Sequence, residues 1–216
     1  PLAFSPDAKT LGCCSDKRVS LLDVESGQVR RVLSAGFLVP ALDWSPNGKL
    51  LAVARCVNPD GSPHGALQYY SGAVDVWTGD GQERLYTLQT HHAVSALSWS
   101  PDSTTLATGS ADAIRLWDAG TGKLVATVLG PGIPSGGGAW PPEQKGSLAL
   151  SPSGHYRAGQ DIEQWFVYVA QLDDGSQVAL TPEEFATKYG WKNDPEKVRL
   201  TAPPNRENAP AALDPG

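Results

Sequence analysis

The chain has 216 residues, of which 40% are hydrophobic and 19% charged, and its formal net charge is −6. This length and composition are typical of a globular protein that can bury a sizeable core. The acidic balance argues against a nucleic-acid-binding protein, because contacts to phosphates need a basic face. The apolar runs are all shorter than the ~18 residues of a membrane span, and the start shows no signal peptide.

The three cysteines, Cys13, Cys14 and Cys56, do not form a disulfide framework, since their number is odd and two of them are adjacent. They also lack the Cys-x-x-Cys spacing of a zinc site. We expect small, buried, apolar side chains here and a reducing, cytoplasmic location. The chain contains no methionine and opens on Pro1-Leu2-Ala3-Phe4, which has the pattern of a strand interior. We therefore expect a fragment or a processed product.

One short phrase recurs along the chain: an apolar residue, then Ser-Pro, then turn residues. Its four copies are Phe4-Ser5-Pro6-Asp7, Trp44-Ser45-Pro46-Asn47, Trp99-Ser100-Pro101-Asp102 and Leu150-Ser151-Pro152-Ser153. Each copy predicts a tight hairpin turn, because proline presets φ and Asp, Asn or Ser tolerate turn geometry. A second turn, which centres on Gly27, Gly81, Gly122 or Gly175, follows each copy.

Short alternating apolar runs lie between these turns, for example Ile114-Arg115-Leu116-Trp117. Alternation with turns at regular spacing predicts strands, and four strands in about 40 residues make one propeller blade. We predict an all-β, partial β-propeller of about four blades of four-stranded antiparallel sheet. The blades span approximately 1–36, 37–90, 91–130 and 147–180.

A helix is predicted after the fourth unit. Thr181 is suited to cap its start, Pro182 to its first position, and Glu184 to return a hydrogen bond to the cap. The helix should end at Gly190. We assign residues 181–200 to a helical cap and expect the Pro- and Ala-rich stretch 201–216 to be disordered.

The third unit resembles a WD repeat, with the signature pair at Trp117-Asp118. The resemblance covers about residues 2–129 well and 147–180 loosely. It implies a propeller that closes with about seven blades, so further blades are expected before Pro1. It also implies a structural network of His91 or His92 with Thr108, Asp112 and Trp117. The strand at Phe166-Val167-Tyr168-Val169 and the following helix resemble the C-terminal end of some bacterial WD-repeat proteins.

Two long connections are expected to emerge on one face of the disc, which in this family commonly binds partners. One lies between Ala54 and Gly72, and the other spans Gly130 to Gly146. Trp, Tyr and Arg are favoured anchors of protein interfaces. The hypothesis is that a protein partner binds the residues that the two connections carry, which are Arg55, His64, Tyr69, Tyr70 and Trp140. The alternative is that these aromatic residues pack against the blade edge.

Motifs for chemistry fail on inspection. Gly120-Thr121-Gly122-Lys123 lacks the first glycine and the final Ser or Thr of a phosphate loop, and His91-His92 lacks a third metal ligand at a suitable spacing. The sequence predicts no catalytic, cofactor-binding or metal-ligating residue. Two functions stay open: a protein-interaction scaffold, or the propeller portion of a larger kinase, protease or hydrolase whose catalytic residues lie upstream.

Overall fold

The computed structural model describes residues 1–15, 18–34, 38–57, 71–130, 147–159, 166–172 and 175–202. Three sets of four consecutive strands form antiparallel sheets in which each strand pairs with its neighbour in the chain. The all-β architecture predicted from the repeats is therefore confirmed. Blade 1 contains β1 (Leu2–Phe4), β2 (Thr10–Ser15), β3 (Arg18–Asp23) and β4 (Val29–Ser34). Blade 2 contains β5 (Ala41–Trp44), β6 (Leu50–Val57), β7 (Ser71–Thr78) and β8 (Arg84–Thr90). Blade 3 contains β9 (Val94–Trp99), β10 (Thr105–Ser110), β11 (Ile114–Asp118) and β12 (Leu124–Leu129).

The serine of the recurring phrase closes the first turn of each blade. In blade 2, the Ser45 hydroxyl accepts the Leu50 N–H at 2.9 Å and donates to Asn47 at 2.8 Å. In blade 3, the Ser100 hydroxyl accepts the Thr105 N–H at 2.9 Å. The phrase recurs because the hydroxyl satisfies the first backbone donor of the second strand, where the turn leaves it without a ladder partner.

In blades 2 and 3, the tryptophan before the serine packs the blade against the one before it. Trp44 lies over Gly12 of blade 1, where a Cβ atom would be 2.8 Å from the indole ring. Its Nε1 donates to the carbonyl of Gly79 at 3.0 Å. The Trp99 indole of blade 3 donates to the carbonyl of Asp43 in blade 2 at 3.2 Å. Large aromatic side chains thus supply apolar area between the sheets and use their one donor on a neighbouring backbone.

The core consists of layers between successive blades. Val19, Leu21 and Leu33 of blade 1 pack against Leu42, Trp44, Leu51 and Val53 of blade 2. Ala52, Ala54, Val74, Val76 and Leu88 on the other side of blade 2 pack against Val94, Trp99, Leu106 and Trp117 of blade 3. The sheet of blade 2 therefore buries both faces, and alternate residues of one of its strands belong to different layers.

The fourth unit differs from the other three. Its first two strands, β13 (Leu148–Leu150) and β14 (Tyr156–Ala158), continue the sheet of blade 3 because β13 pairs with β12. The next two, β15 (Tyr168–Gln171) and β16 (Gln177–Leu180), form a separate hairpin. Among the described residues, the four strands expected within 147–180 are thus divided between two sheets. Strands of three residues offer few ladder bonds, and the outer edge of β14 is occupied by the side chain of Asn193.

The C-terminal helix forms as predicted. α1 (Pro182–Tyr189) has Thr181 as its N-cap in a capping box with Glu184, and it ends at Gly190 in the left-handed conformation, with φ 61°. Beyond it, a short 3₁₀ turn spans Pro195–Lys197. Ala202, which the sequence placed in the disordered tail, is instead buried, and its N–H donates to Thr105 Oγ1 at 2.8 Å. The rest of that tail, 203–216, lies outside the described residues.

Candidate interaction face

Successive antiparallel strands place every second connection at the same end of a blade. The loop face is the end where the connections β2–β3, β4–β5, β6–β7, β8–β9, β10–β11 and β12–β13 emerge. The opposite end, the turn face, carries the Ser-Pro turns and the glycine turns. The two long connections expected from the sequence both start and finish at the loop face, since β6 ends at Val57, β7 begins at Ser71, β12 ends at Leu129 and β13 begins at Leu148.

Arg55 does not lie in a connection, as the sequence suggested, but inside strand β6. The β6–β7 ladder continues to the pair Val57 and Ser71, so the connection is shorter than expected. The side chain of Arg55 is largely covered and pairs with Asp75. The other four predicted contact residues, His64, Tyr69, Tyr70 and Trp140, lie outside the described residues.

Asp75 is the centre of a buried polar cluster in blade 2. Its side chain is 3% exposed. It accepts a hydrogen bond from Arg55 Nε on β6 at 2.9 Å and one from the Thr87 hydroxyl on β8 at 2.6 Å, and Arg84 lies 3.7 Å away. The cluster ties three strands together just below the long β6–β7 connection. A buried carboxylate is tolerated here because each oxygen has a donor.

In blade 3, the residues of the network that the resemblance implied form two separate groups of hydrogen bonds. Trp117 Nε1 donates to the Thr108 hydroxyl at 3.0 Å, and both residues are buried. Asp112 takes no part in that bond. It pairs instead with Arg115 at 2.5 Å and accepts from the Ser110 hydroxyl at 2.6 Å.

The histidines expected in the network stand apart from the tryptophan. His91 is exposed, and His92 acts on Asp112 only through its charge. Burial opposes the charge of Asp112, but the hydrogen bonds from Arg115 and Ser110 and the charges of Arg115 and His92 outweigh it. They lower the pKa of Asp112 to about 2.

Blades 2 and 3 reverse the signs of one ion pair. Asp75 and Arg115 stand at the same place, two residues before Trp77 and Trp117 on the third strand of their blades. Blade 2 places the carboxylate there and the guanidinium on β6. Blade 3 places the guanidinium there and the carboxylate in the β10–β11 turn. Sequence reasoning missed both pairs; the only local signal was a charged residue inside an otherwise apolar, alternating strand.

Two connections of the loop face are hydrogen-bonded to described residues of blade 2, β4–β5 at Leu38 and β8–β9 at His92. The carbonyl of Leu38 accepts the N–H of Cys56 at 2.8 Å. The Thr90 hydroxyl donates to the carbonyl of His92 at 2.9 Å. This β8–β9 connection lies so close to Gly72 that a Cβ atom there would be 2.3 Å from the His92 oxygen. The side chains of Leu38, His91 and Ile114 are exposed at this end of the blades, and we call these three residues the floor of the loop face.

The described residues contain no group of three or more His, Cys, Asp or Glu side chains able to hold a metal ion. Burial raises the pKa of the Cys14 and Cys56 thiols, which keeps them protonated. In the same described ranges, no helix has the length and apolarity that crossing a membrane requires.

Comparison with known proteins agrees with this architecture. Residues 82–118 match the family model of the WD domain, G-beta repeat. They comprise the outer strand of blade 2 and the first three strands of blade 3. This segment is therefore similar to a WD repeat, and the sheets around it have the arrangement of propeller blades.

Solved structures of WD40 propellers have the same fold. The chain is similar to the RRP9 WD40 repeats, with a TM-score of 0.51 and 18% identity over 82% of this chain and 49% of that one. It is also similar to U3-55K, with the same TM-score and identity, over 82% of this chain and 50% of that one. The chain therefore spans about half the length of these structures. No curated protein sequence matches it.

Proposed function

We propose that this chain is a protein-binding module that holds a partner protein on its loop face. The observation that carries the proposal is that the two longest connections, 58–70 and 131–146, both leave the blades at this face. Long loops on a rigid scaffold are where binding residues concentrate in folded proteins. Members of the WD-repeat family are commonly protein-interaction scaffolds, which supports the same reading.

The floor of the loop face suits a protein partner. Leu38 and Ile114 have exposed apolar side chains, and His91 has an exposed polar ring. Because the backbone bonds at Leu38 and His92 hold these connections in place, little ordering entropy would be lost on binding. The turn face is less available, since the C-terminal segment reaches it at Ala202 and Thr105.

Arg55 has a different part in this proposal from the one its sequence position suggested. It would not contact the partner but would, through Asp75, hold the strands from which the β6–β7 connection leaves. The contact residues would be His64, Tyr69, Tyr70 and Trp140. A cytoplasmic location, in keeping with unpaired cysteines, belongs to the same proposal.

To test the proposal, partner proteins are first captured with the chain. The binding of each captured partner is then confirmed by a direct affinity measurement, which is repeated with the variants. Tyr69, Tyr70 and Trp140 are replaced singly by alanine. Those of the three that anchor the partner should weaken its affinity about tenfold or more when replaced. Val24→Ala is the matched control, because Val24 is exposed at the turn face, and it should bind as the wild type does. Full affinity in all three variants, or an equal loss in Val24→Ala, would contradict a binding site on the loop face.

One face of blade 1 supports the expectation of a further blade. Phe4 is 60% exposed, whereas Trp44 and Trp99, at the same place in blades 2 and 3, are 4% and 8% exposed. The glycine turns repeat the pattern. A Cβ on Gly81 would lie 2.7 Å from Leu21 of blade 1, and one on Gly122 would lie 3.1 Å from Tyr86 of blade 2. A Cβ on Gly27 would have none of the described residues within 4 Å. Blade 1 thus presents the surface that its neighbours use to pack against a preceding blade.

A further inference from the structure

The two apolar residues in the floor of the loop face each adjoin a strand end from which a long connection leaves. The carbonyl of Leu38 accepts the N–H of Cys56, which is the last residue but one of β6. Ile114 is the cross-strand partner of Val128, which is the last residue but one of β12. Leu38 therefore lies at the base of the β6–β7 connection, and Ile114 lies at the base of the β12–β13 connection.

Buried neighbours hold both residues at the surface. Val39, which follows Leu38, is buried in the layer between blades 1 and 2. Ala113, which precedes Ile114, is also buried, and its carbonyl accepts the N–H of Ser110 at 3.1 Å and the Ser110 hydroxyl at 3.0 Å. Leu38 and Ile114 cannot turn inward without moving these buried neighbours. Their apolar side chains are thus exposed on a backbone that is already ordered.

The described backbone between the two residues forms one packed row across blades 2 and 3. Gly72, at the start of β7, lies against the β8–β9 connection, since a Cβ on it would be 3.1 Å from the Cα of Ala93. The next residue, Val94, is the cross-strand partner of Ser110, where the β10–β11 connection begins. That connection leads to Ile114. His91, with its exposed ring, belongs to the β8–β9 connection in the middle of this row.

The composition of this row determines what kind of surface can cover it. Covering Leu38 or Ile114 with an apolar side chain removes apolar area from water, and an ordered backbone loses little entropy on binding. The imidazole of His91 can take part in a hydrogen bond as donor or acceptor. Single exposed apolar residues are ordinary on protein surfaces. These two differ because each lies at the base of a long connection and a polar ring lies between them.

We propose that Leu38 and Ile114 are two fixed contact points for a protein partner that presents one apolar side chain to each of them and a hydrogen-bonding group to His91. This inference rests on the proposed function and deepens it. It assigns part of the binding energy to ordered residues of the blades rather than to the long connections, and it states the pattern of side chains that the partner needs: apolar, polar, apolar.

The affinity of each partner protein captured with the full chain is measured for Leu38→Ser and Ile114→Thr. Each variant should weaken the affinity about tenfold. The matched controls are Val24→Ser in a connection of the turn face and Leu85→Thr at the turn-face end of β8, and both should bind as the wild type does. Val24 and Leu85 are 43% and 42% exposed, close to the 47% of Leu38 and the 39% of Ile114. All four changes are at exposed positions, so the variants should fold, which thermal unfolding checks.

His91→Phe keeps an aromatic ring but removes both nitrogens, so it should weaken the affinity about threefold or more. Wild-type affinity in any of the three floor variants, or equal losses in the two controls, would overturn the inference.

The alanine variants of Tyr69, Tyr70 and Trp140 separate this inference from the proposed function. If they lose affinity while the floor variants keep it, the proposed function stands and the two fixed contact points do not. Loss in the floor variants alone would support the contact points and contradict the role of the long connections. Failure to capture any partner protein would overturn both proposals.

Discussion

At the scale of single residues, the blades depend on a few buried polar groups whose partners lie on neighbouring strands. Asp75 has donors from β6 and β8, and Thr108 accepts from Trp117. Groups of this kind contribute little while they are satisfied, but they cost much when one partner is removed, because the other is left desolvated. The reversal of the ion pair between blades 2 and 3 shows that the position accepts a paired charge of either sign.

Asp75→Ala should lower the free energy of unfolding by about 3 kcal/mol, because it leaves Arg55 and Thr87 without their acceptor in a covered site. Urea unfolding followed by tryptophan fluorescence measures the loss. Arg30→Ala is the control, since Arg30 forms an exposed pair with Asp23, and it should cost less than about 1 kcal/mol. Equal losses in the two variants would show that Asp75 is not a stabilising centre.

Asp112 should make the stability of the chain depend on pH in an acid window. Its pKa is lowered to about 2 from 3.8, so its contribution is present above pH 3.8 and is lost as the pH falls through about 2. The site is partly open to solvent, so we expect a contribution of about 1 kcal/mol. The difference in unfolding free energy between the wild type and Asp112→Asn should shrink by that amount from pH 5 to pH 2. A constant difference would contradict the shift.

At the scale of the elements, close approach between backbones explains why certain turns contain glycine. The N–H of Gly79 donates to the Lys49 carbonyl at 2.7 Å, which brings the end of β7 onto the first turn of blade 2. A Cβ on Gly79 would lie 1.8 Å from the Gly48 oxygen, a backbone atom that cannot turn aside. This contact seats Gly79 so that its carbonyl can accept the Trp44 indole.

Gly79→Ala should therefore destabilise the chain by about 3 kcal/mol, through a forced backbone shift in blade 2. Gly109→Ala is the matched control: its added Cβ would be 3.5 Å from Ala96, an ordinary contact, and its effect should stay within about 1 kcal/mol. Thermal unfolding of both variants gives the comparison. If Gly79→Ala melted with Gly109→Ala, the packing argument for this turn would be wrong.

At the scale of the whole molecule, blades 2 and 3 each pack against a preceding blade, whereas none of the described residues covers the matching face of blade 1. A substitution at this position should therefore change the free energy of unfolding little in blade 1 and strongly in blade 2. Phe4→Ser should change the unfolding free energy by no more than about 0.5 kcal/mol, because Phe4 is exposed. Trp44→Ser should cost about 4 kcal/mol, since it opens a cavity between two blades and removes the bond to Gly79.

Chemical denaturation of both variants at several protein concentrations checks this pair. A large loss in Phe4→Ser that grows with protein concentration would mean that another chain covers blade 1 in solution. A small loss in Trp44→Ser would mean that the layer between blades 1 and 2 is not a tight core.

Much of the fold could be predicted from the sequence because its signals are local. The Ser-Pro turns, the glycine turns and the capping box of α1 each depend on residues two to five positions apart, and the chemistry that closes them is visible in the residue types. The alternation of apolar residues indicated the strands, and their regular spacing indicated the blades. The contact role of His64, Tyr69, Tyr70 and Trp140 stays a prediction.

The tertiary structure alone decided the contacts between residues that are far apart in the chain. Arg55 became an internal partner of Asp75 rather than a loop residue, because β6 and β7 pair further than their composition indicated. Strands β13 and β14 joined the sheet of blade 3. The segment after α1 formed hydrogen bonds to Tyr156, His155 and Thr105 over separations of 37, 39 and 97 residues. Such pairs have no period and no local motif. They form because a buried polar group or an open strand edge must find a partner, and only the folded chain determines which partner is within reach.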